Sequence, residues 1–315
     1  MMNTVRIREQ MGLRLVEDRE EEKTETEARA ELLMGRLCSA AGYGRALITG
    51  GPGRAMRRAF ALARAYGKGK NGADCAGILM LTYRAFDLRL ANAEECTRAE
   101  PGDPAVFAKV REGAVCAVVF SFWEPGYEPL PQDYVKELFY LCRSAGVLLI
   151  SDERALGLGR TGSFLAGECY GKLPDLTVTR MKGGLGVCLV RPGLAAVSEE
   201  EESEAGACGK AVEALEELLA PGALAPGALA AAADKGRYLK GALSRLPGAG
   251  KVQGLGSVLS VTLAGETALE LAGRTLPAME MAAREDGVLL IPDPNADQGE
   301  LARGLALLRQ LLEEK

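Results

Sequence analysis

No histidine occurs anywhere in the 315 residues. Ser-His-Asp and Cys-His catalysis, imidazole bases and His-ligated metals are therefore excluded. Acid–base chemistry is left to Lys, Asp, Glu, Tyr or Cys. Four stretches place such residues, or glycines that admit a ligand, beside predicted strands. Gly50-Gly51-Pro52-Gly53-Arg54 sits between a strand and a helix. It reads as a phosphate cradle, with helix N–H groups and Arg54 as cation, or as a tight turn with Pro at the first helical position. Asp152 stands where an apolar run ends, as a cap or loop residue or as a charge aimed at a ligand over the sheet. Lys182, in Met181-Lys182-Gly183-Gly184, is a loop charge or, if desolvated, an imine-forming nucleophile. Gly157-Leu158-Gly159-Arg160-Thr161-Gly162 spells G-x-G-x-x-G, but residues 152–156 separate it from its strand and no helix start follows. The residue twenty places on is Lys182 rather than an acid, so a dinucleotide fingerprint is rejected.

The eight cysteines show no C-x-x-C spacing, and most have apolar neighbours, as in Val115-Cys116-Ala117-Val118. They read as small buried hydrophobes in a reducing cytoplasm, and no metal site is expected. Lys plus Arg is 38 against 43 Asp plus Glu, a net charge of −5, which excludes a globally basic nucleic-acid binder. No apolar run approaches the roughly 18 residues of a membrane span, and the N-terminus MMNTVRIREQ lacks the apolar core of a secretory signal. With 48% hydrophobic and 26% charged residues, the composition is that of a globular chain.

The elements that must position these residues follow from periodicity. A charged segment precedes a helix at 25–41. Strands are predicted at 46–49, 78–81, 115–122, 147–150, 176–179 and 186–190, with helices running on from Pro52, from Asp103-Pro104 and over 132–145. In the last, Tyr134, Leu138, Leu141 and Cys142 face inward. Continuous apolar strands alternating with helices predict an α/β fold with a doubly wound, mainly parallel sheet, whose ligands bind at the strand carboxyl ends. Residues 199–204 are acidic, and Ala220-Pro-Gly-Ala-Leu is repeated at 225–229, as in a tolerant surface segment. A helix over 230–245, strands at 258–263 and 288–291 and a helix over 298–313 suggest a smaller C-terminal α/β domain. The expected organisation is 1–44 as N-terminal segment and helix, 45–198 as large domain, 199–229 as linker and 230–315 as small domain.

The run Leu149-Ile-Ser-Asp152-Glu153-Arg-Ala-Leu-Gly157-Leu-Gly159-Arg160-Thr161-Gly162 resembles the D-E-V-Q-x-G-x-G-R-T-G stretch of class III pyridoxal-phosphate-dependent aminotransferases of the acetylornithine and ornithine type. Gly167-Glu168-Cys169-Tyr170-Gly171 and Pro174-Asp175-Leu176 continue the likeness, which extends more weakly over about residues 28–190. The resemblance implies a fold-type-I large domain, pyridoxal 5'-phosphate as cofactor, small-molecule amino donors and keto acceptors, and an active site formed between two subunits. Asp152 would pair with the pyridine nitrogen and keep the ring an electron sink. Gly51, Pro52 and Gly53 would hold the phosphate with Arg54 nearby, Tyr83 would stack on the ring, and Lys182 would form the imine.

The sequence departs from the pattern where chemistry is done. The family's aromatic-His-Gly-Arg segment reads Tyr83-Arg84-Ala85-Phe86, and the Val and Gln after Asp-Glu are Arg154 and Ala155. The loop that lends a Thr to the neighbouring subunit is replaced by the acidic and Ala-Pro-Gly stretch. Counted from Asp152, the family's lysine position falls on Met181, one place before Lys182. Two expectations follow: a small cytoplasmic aminotransferase using Asp152 and Lys182, or a degenerate paralogue serving as a binding or partner subunit. Either is expected as a homodimer, or as a heterodimer with an intact relative.

Overall fold

The apolar runs assemble into a seven-stranded sheet in the computed structural model, which describes residues 25–71, 76–83, 96–103, 105–113, 115–194, 208–223, 225–271, 273–284, 286–293 and 296–314. The charged run before residue 25, Arg84 to Phe86 and the acidic stretch 199–204 lie outside the described residues. After a helix α1 (25–41) come β1 (Arg45–Thr49), α2 (Pro52–Asn71), β2 (Gly77–Leu81), β3 (Cys96–Ala99), α3 (Ala105–Arg111), β4 (Val115–Phe120), α4 (Gln132–Ala145), β5 (Leu148–Glu153), a one-turn α5 (Ala166–Cys169), β6 (Leu176–Arg180) and β7 (Gly186–Val190).

The strand order is β1-β7-β6-β5-β4-β2-β3. β3, β2, β4, β5 and β6 pair parallel. β7 alone runs antiparallel, to β6 on one side and β1 on the other, so β1 points the same way as β6. Side chains alternate between two apolar layers, which is why β4 and β5 read as unbroken hydrophobic runs. Leu148 and Ile150 pack with Ala55, Met56, Ala59 and Phe60 of α2. Leu149 packs on the other face with Val135, Leu138 and Leu141 of α4 and Val106 of α3. Gly146, at φ 69°, ends α4 by donating to the carbonyls of Cys142 and Arg143.

The stretch expected as a linker carries α6 (Cys208–Leu218), whose Ala211, Val212 and Leu215 pack with Leu33 and Leu37 of α1 and Val187 and Leu189 of β7. The second Ala-Pro-Gly copy opens α7 (Pro226–Leu243), with Pro near its start. There follow β8 (Val252–Leu255), β9 (Val258–Thr262), α8 (Gly265–Glu270), β10 (Met279–Arg284), β11 (Gly287–Pro292) and α9 (Gln298–Glu313). The four strands form an antiparallel sheet, β10-β11-β9-β8. Leu239 and Leu243 of α7 and Leu301, Leu305 and Leu308 of α9 cover it. Asp297 and Glu300 cap α9 reciprocally, at 2.7 and 2.9 Å.

The two sheets meet at the G-x-G-x-x-G stretch. The Ser257 N–H and Oγ both donate to the Arg160 carbonyl at 2.9 Å. A Cβ on Gly157 would lie 2.6 Å from Thr179 Oγ1, and Gly159 and Gly162 take φ of 89° and 87°. The glycines therefore serve a tight turn that docks the β8–β9 connection. Among the described residues no helix is long and apolar enough to cross a membrane.

Candidate active site

Because β1, β2, β4, β5 and β6 point the same way, the Gly50–Gly53 turn, Thr82-Tyr83, Ser121 to Glu124, Asp152 and Met181 to Gly184 leave the sheet at one edge. On β5, Asp152 continues the face of Leu148 and Ile150, the face under α2. The glycine turn opens α2 on that same side. Thr49 Oγ1 donates to the Gly51 carbonyl at 2.8 Å, and Arg54 and Ala55 donate to it at 3.0 and 3.2 Å. The first turn of α2 has no acidic residue, and Arg54, Arg57 and Arg58 crowd its start. A cationic helix start of this kind suits an anion.

The two residues that the resemblance assigns to a pyridine ring, Tyr83 and Asp152, are each engaged by other groups of the chain. Tyr83 stacks on Tyr127 with centroids 4.1 Å apart and planes inclined 12°. Glu124 holds that arrangement, accepting from Thr82 Oγ1 at 2.9 Å and from the Tyr83 N–H at 3.3 Å. Trp123 Nε1 fixes the loop through the Tyr127 carbonyl at 2.9 Å. Asp152, whose side chain is 21% exposed, accepts from Arg154 Nε at 2.8 Å and Nη2 at 2.6 Å.

The lysine lies elsewhere. Lys182 sits in a single 3-10 turn between β6 and β7, its side chain 71% exposed and its Nζ 2.8 Å from Glu217 Oε1 of α6. That partner pushes the ammonium pKa upward, away from the neutral amine an imine requires. Met181, the family's position by count from Asp152, is buried against Val187 and Leu189 on the opposite face. Asp152 pairs in register with Val178, so alternation puts Arg180 on the face of Asp152. Its guanidinium reaches Glu280 of β10 at 2.5 Å. An arginine stays charged and forms no imine at neutral pH. Finding Arg180 required the strand register, which spacing from Asp152 alone does not supply.

Lys182 and Arg180 also border a cavity of about 630 Å³ whose charged walls include Arg160, Glu217, Glu280 and Asp293; Asp152, Tyr83 and the 51–54 turn are not part of it. The structure thus gathers the glycine turn and Asp152 on one side of the sheet and leaves Lys182 beside a cavity that neither of them lines. Tested against pyridoxal phosphate, the start of α2 suits an anion, the residues expected at the ring are engaged by Arg154 and Tyr127, and covalent attachment through Lys182 does not fit.

Sequence reading also missed Glu153. One residue beyond Asp152, it faces the opposite layer and is fully buried. It accepts from the Ala166 N–H at 2.6 Å, the Gly167 N–H at 3.2 Å and Ser151 Oγ at 3.3 Å. Burial pushes its carboxyl up to about 7, against the pull of those hydrogen bonds.

Comparison with known proteins agrees with this fold. The chain is 46% identical over 70 residues to the 5-aminovalerate aminotransferase of Pseudomonas putida, covering 21% of this chain and 16% of that protein. It is 29% identical over 232 residues to the acetylornithine aminotransferase of Bacillus subtilis, covering 67% of this chain and 58% of that one. The chain therefore spans less than two thirds of the length of these relatives. An ornithine aminotransferase structure from Toxoplasma gondii, in which pyridoxal phosphate partly occupies the active site, superposes with a TM-score of 0.72 at 19% identity, over 90% of this chain and 76% of that one. The model of the class-III aminotransferases matches residues 60–295, more than half of the sequence, and the chain belongs to that family of pyridoxal-phosphate-dependent enzymes.

Proposed function

We propose that this chain keeps the class III fold as a binding or partner subunit, and that amino-group transfer by it is absent or very weak. One observation carries the reading: the residue on the face of Asp152 at the end of β6 is Arg180, while Lys182 is paired with Glu217. Misplacing a reacting atom by about 1 Å costs on the order of 100-fold. The family's Gln after Asp-Glu, its cross-subunit Thr and the Ser of its phosphate turn are also missing, each contact worth roughly 1–3 kcal/mol. The partner would be a second copy or an intact relative, which light scattering at micromolar concentration tests through the oligomeric mass.

The purified protein is to be incubated with pyridoxal phosphate, a keto acid and glutamate, ornithine or acetylornithine in turn. No turnover and no borohydride-sensitive visible band are expected, and Lys182→Ala should change neither. Because Lys182 is exposed, that variant should also stay within about 0.5 kcal/mol of the parent in stability. Robust turnover that disappears in Lys182→Ala would overturn the reading in favour of an active aminotransferase.

A further inference from the structure

Asp152 and Arg154 are two residues apart, and both are mostly shielded, with side chains 21% and 27% exposed. The pair is a two-pronged fork, Nε to Oδ1 and Nη2 to Oδ2, and the Arg154 N–H adds a third donor to Oδ1 at 3.2 Å. Such forks are among the stronger and more directional hydrogen-bonded pairs. The backbone that carries Arg154 is also pinned. The Glu153 carbonyl accepts from the N–H groups of Leu156 and Gly157 at 3.1 and 2.9 Å and from Thr179 Oγ1 at 3.2 Å. The Glu153 side chain is anchored on Ala166 and Gly167. Arg154 is therefore held in place by its neighbours on both sides, and freeing Asp152 requires swinging the guanidinium away.

We infer that Arg154 is an intramolecular occupant of Asp152, closing to any pyridinium ligand the carboxylate that would otherwise receive the ring N–H. A protonated pyridine is also a cation but offers one N–H where Arg154 offers two side-chain donors, so the exchange loses a charge-assisted hydrogen bond. Tyr127 acts in the same sense by covering Tyr83. The phosphate end keeps its glycine turn and arginines. The consequence is a site that binds phosphorylated ring compounds through the phosphate and is indifferent to the ring nitrogen. This rests on reading Asp152 as the ring-nitrogen partner and does not depend on turnover.

The test measures affinity by equilibrium dialysis for pyridoxal 5'-phosphate and for its analogue with a benzene ring in place of the pyridine. Quenching of Trp123, the single tryptophan, which is 2% exposed, gives a second readout. The parent protein should bind the two compounds within about threefold of each other, since each 1.4 kcal/mol of discrimination is tenfold. In Arg154→Gln, affinity for pyridoxal phosphate should rise about tenfold or more while that for the analogue stays unchanged. Tenfold or greater preference of the parent for the pyridine overturns the inference without any variant. An Arg154→Gln protein that folds, by circular dichroism, and binds both compounds as the parent does also overturns it. Turnover assays on the same samples report separately on the proposed function, so each reading can fail alone.

Discussion

Gly186→Ala is expected to destabilise the protein by about 3 kcal/mol, the upper part of the range for overpacking. Gly186 begins β7, pairing with Thr49 on one side and Arg180 on the other. A Cβ there would lie 2.4 Å from the Gly51 carbonyl oxygen, 2.6 Å from its carbon and 2.7 Å from Pro52 Cα. All three are backbone atoms, so no flexible side chain can move aside. Relief must come from shifting either the hairpin or the 50–53 turn, and the turn is held by Thr49 Oγ1 on the Gly51 carbonyl. The same substitution should therefore weaken anion binding at the start of α2. Gly193→Ala is the control. It is exposed, a Cβ there would meet nothing within 4 Å, and the variant should stay within about 0.5 kcal/mol of the parent. Denaturant titration of both variants decides the matter, and equal midpoints for the two would sink the argument.

The large sheet was legible because its central strands are buried on both faces. Val115 to Phe120 and Leu148 to Ser151 are apolar without interruption or nearly so, and such runs leave few alternatives to a covered parallel sheet. β3 and β10 escaped the sequence reading for the opposite reason. β3 is a four-residue edge strand with two exposed residues, and β10 reads Met-Glu-Met-Ala-Ala-Arg, too polar on one side to stand out. α6 was hidden by the acidic run before it, although its stripe of Ala211, Val212 and Leu215 is ordinary for a packed helix. In α4, Val135 joins Leu138, Leu141 and Cys142 in the fully buried stripe, and Tyr134 packs half-buried against the same core.

The site was legible in its parts and not in its pairings. Asp152 and the glycine turn stand where apolar strands end, a position that the sequence states directly. Which cation would face Asp152 depends on strand register, because one residue along a strand reverses the side. Register puts Met181 on the opposite side and Arg180 on the side of Asp152, whereas Lys182 lies past the end of β6 in the 3-10 turn, where strand alternation no longer applies. Arg154 read as a departure from the family's pattern. Its bidentate hold on Asp152 is a matter of side-chain geometry that spacing alone leaves open.

Stability is expected to fall as the pH rises from about 4.5 to about 7, and Glu153 is the cause. Its carboxyl titrates at an ordinary 4.5 when unfolded and at about 7 in the buried site, where desolvation outweighs three hydrogen-bond donors. Below the unfolded value both states hold the proton and burial costs nothing extra. Between the two values the folded chain retains a proton that the unfolded chain has released, so each rise in pH favours unfolding. Above about 7 the loss is complete, and its size is on the order of 3 kcal/mol at 1.36 kcal/mol per pKa unit. Other carboxylates titrate in the same range, and a variant removes their contribution. Glu153→Gln keeps one acceptor, orphans one of the two backbone N–H groups at Ala166 and Gly167 and cannot ionise. It should be less stable than the parent by roughly 1–3 kcal/mol near pH 4.5, with the gap narrowing or reversing by pH 7. Measured as paired unfolding free energies across that range, a gap that stays constant with pH would mean that Glu153 ionises as an ordinary carboxylate and that its hydrogen bonds, not its burial, set its charge.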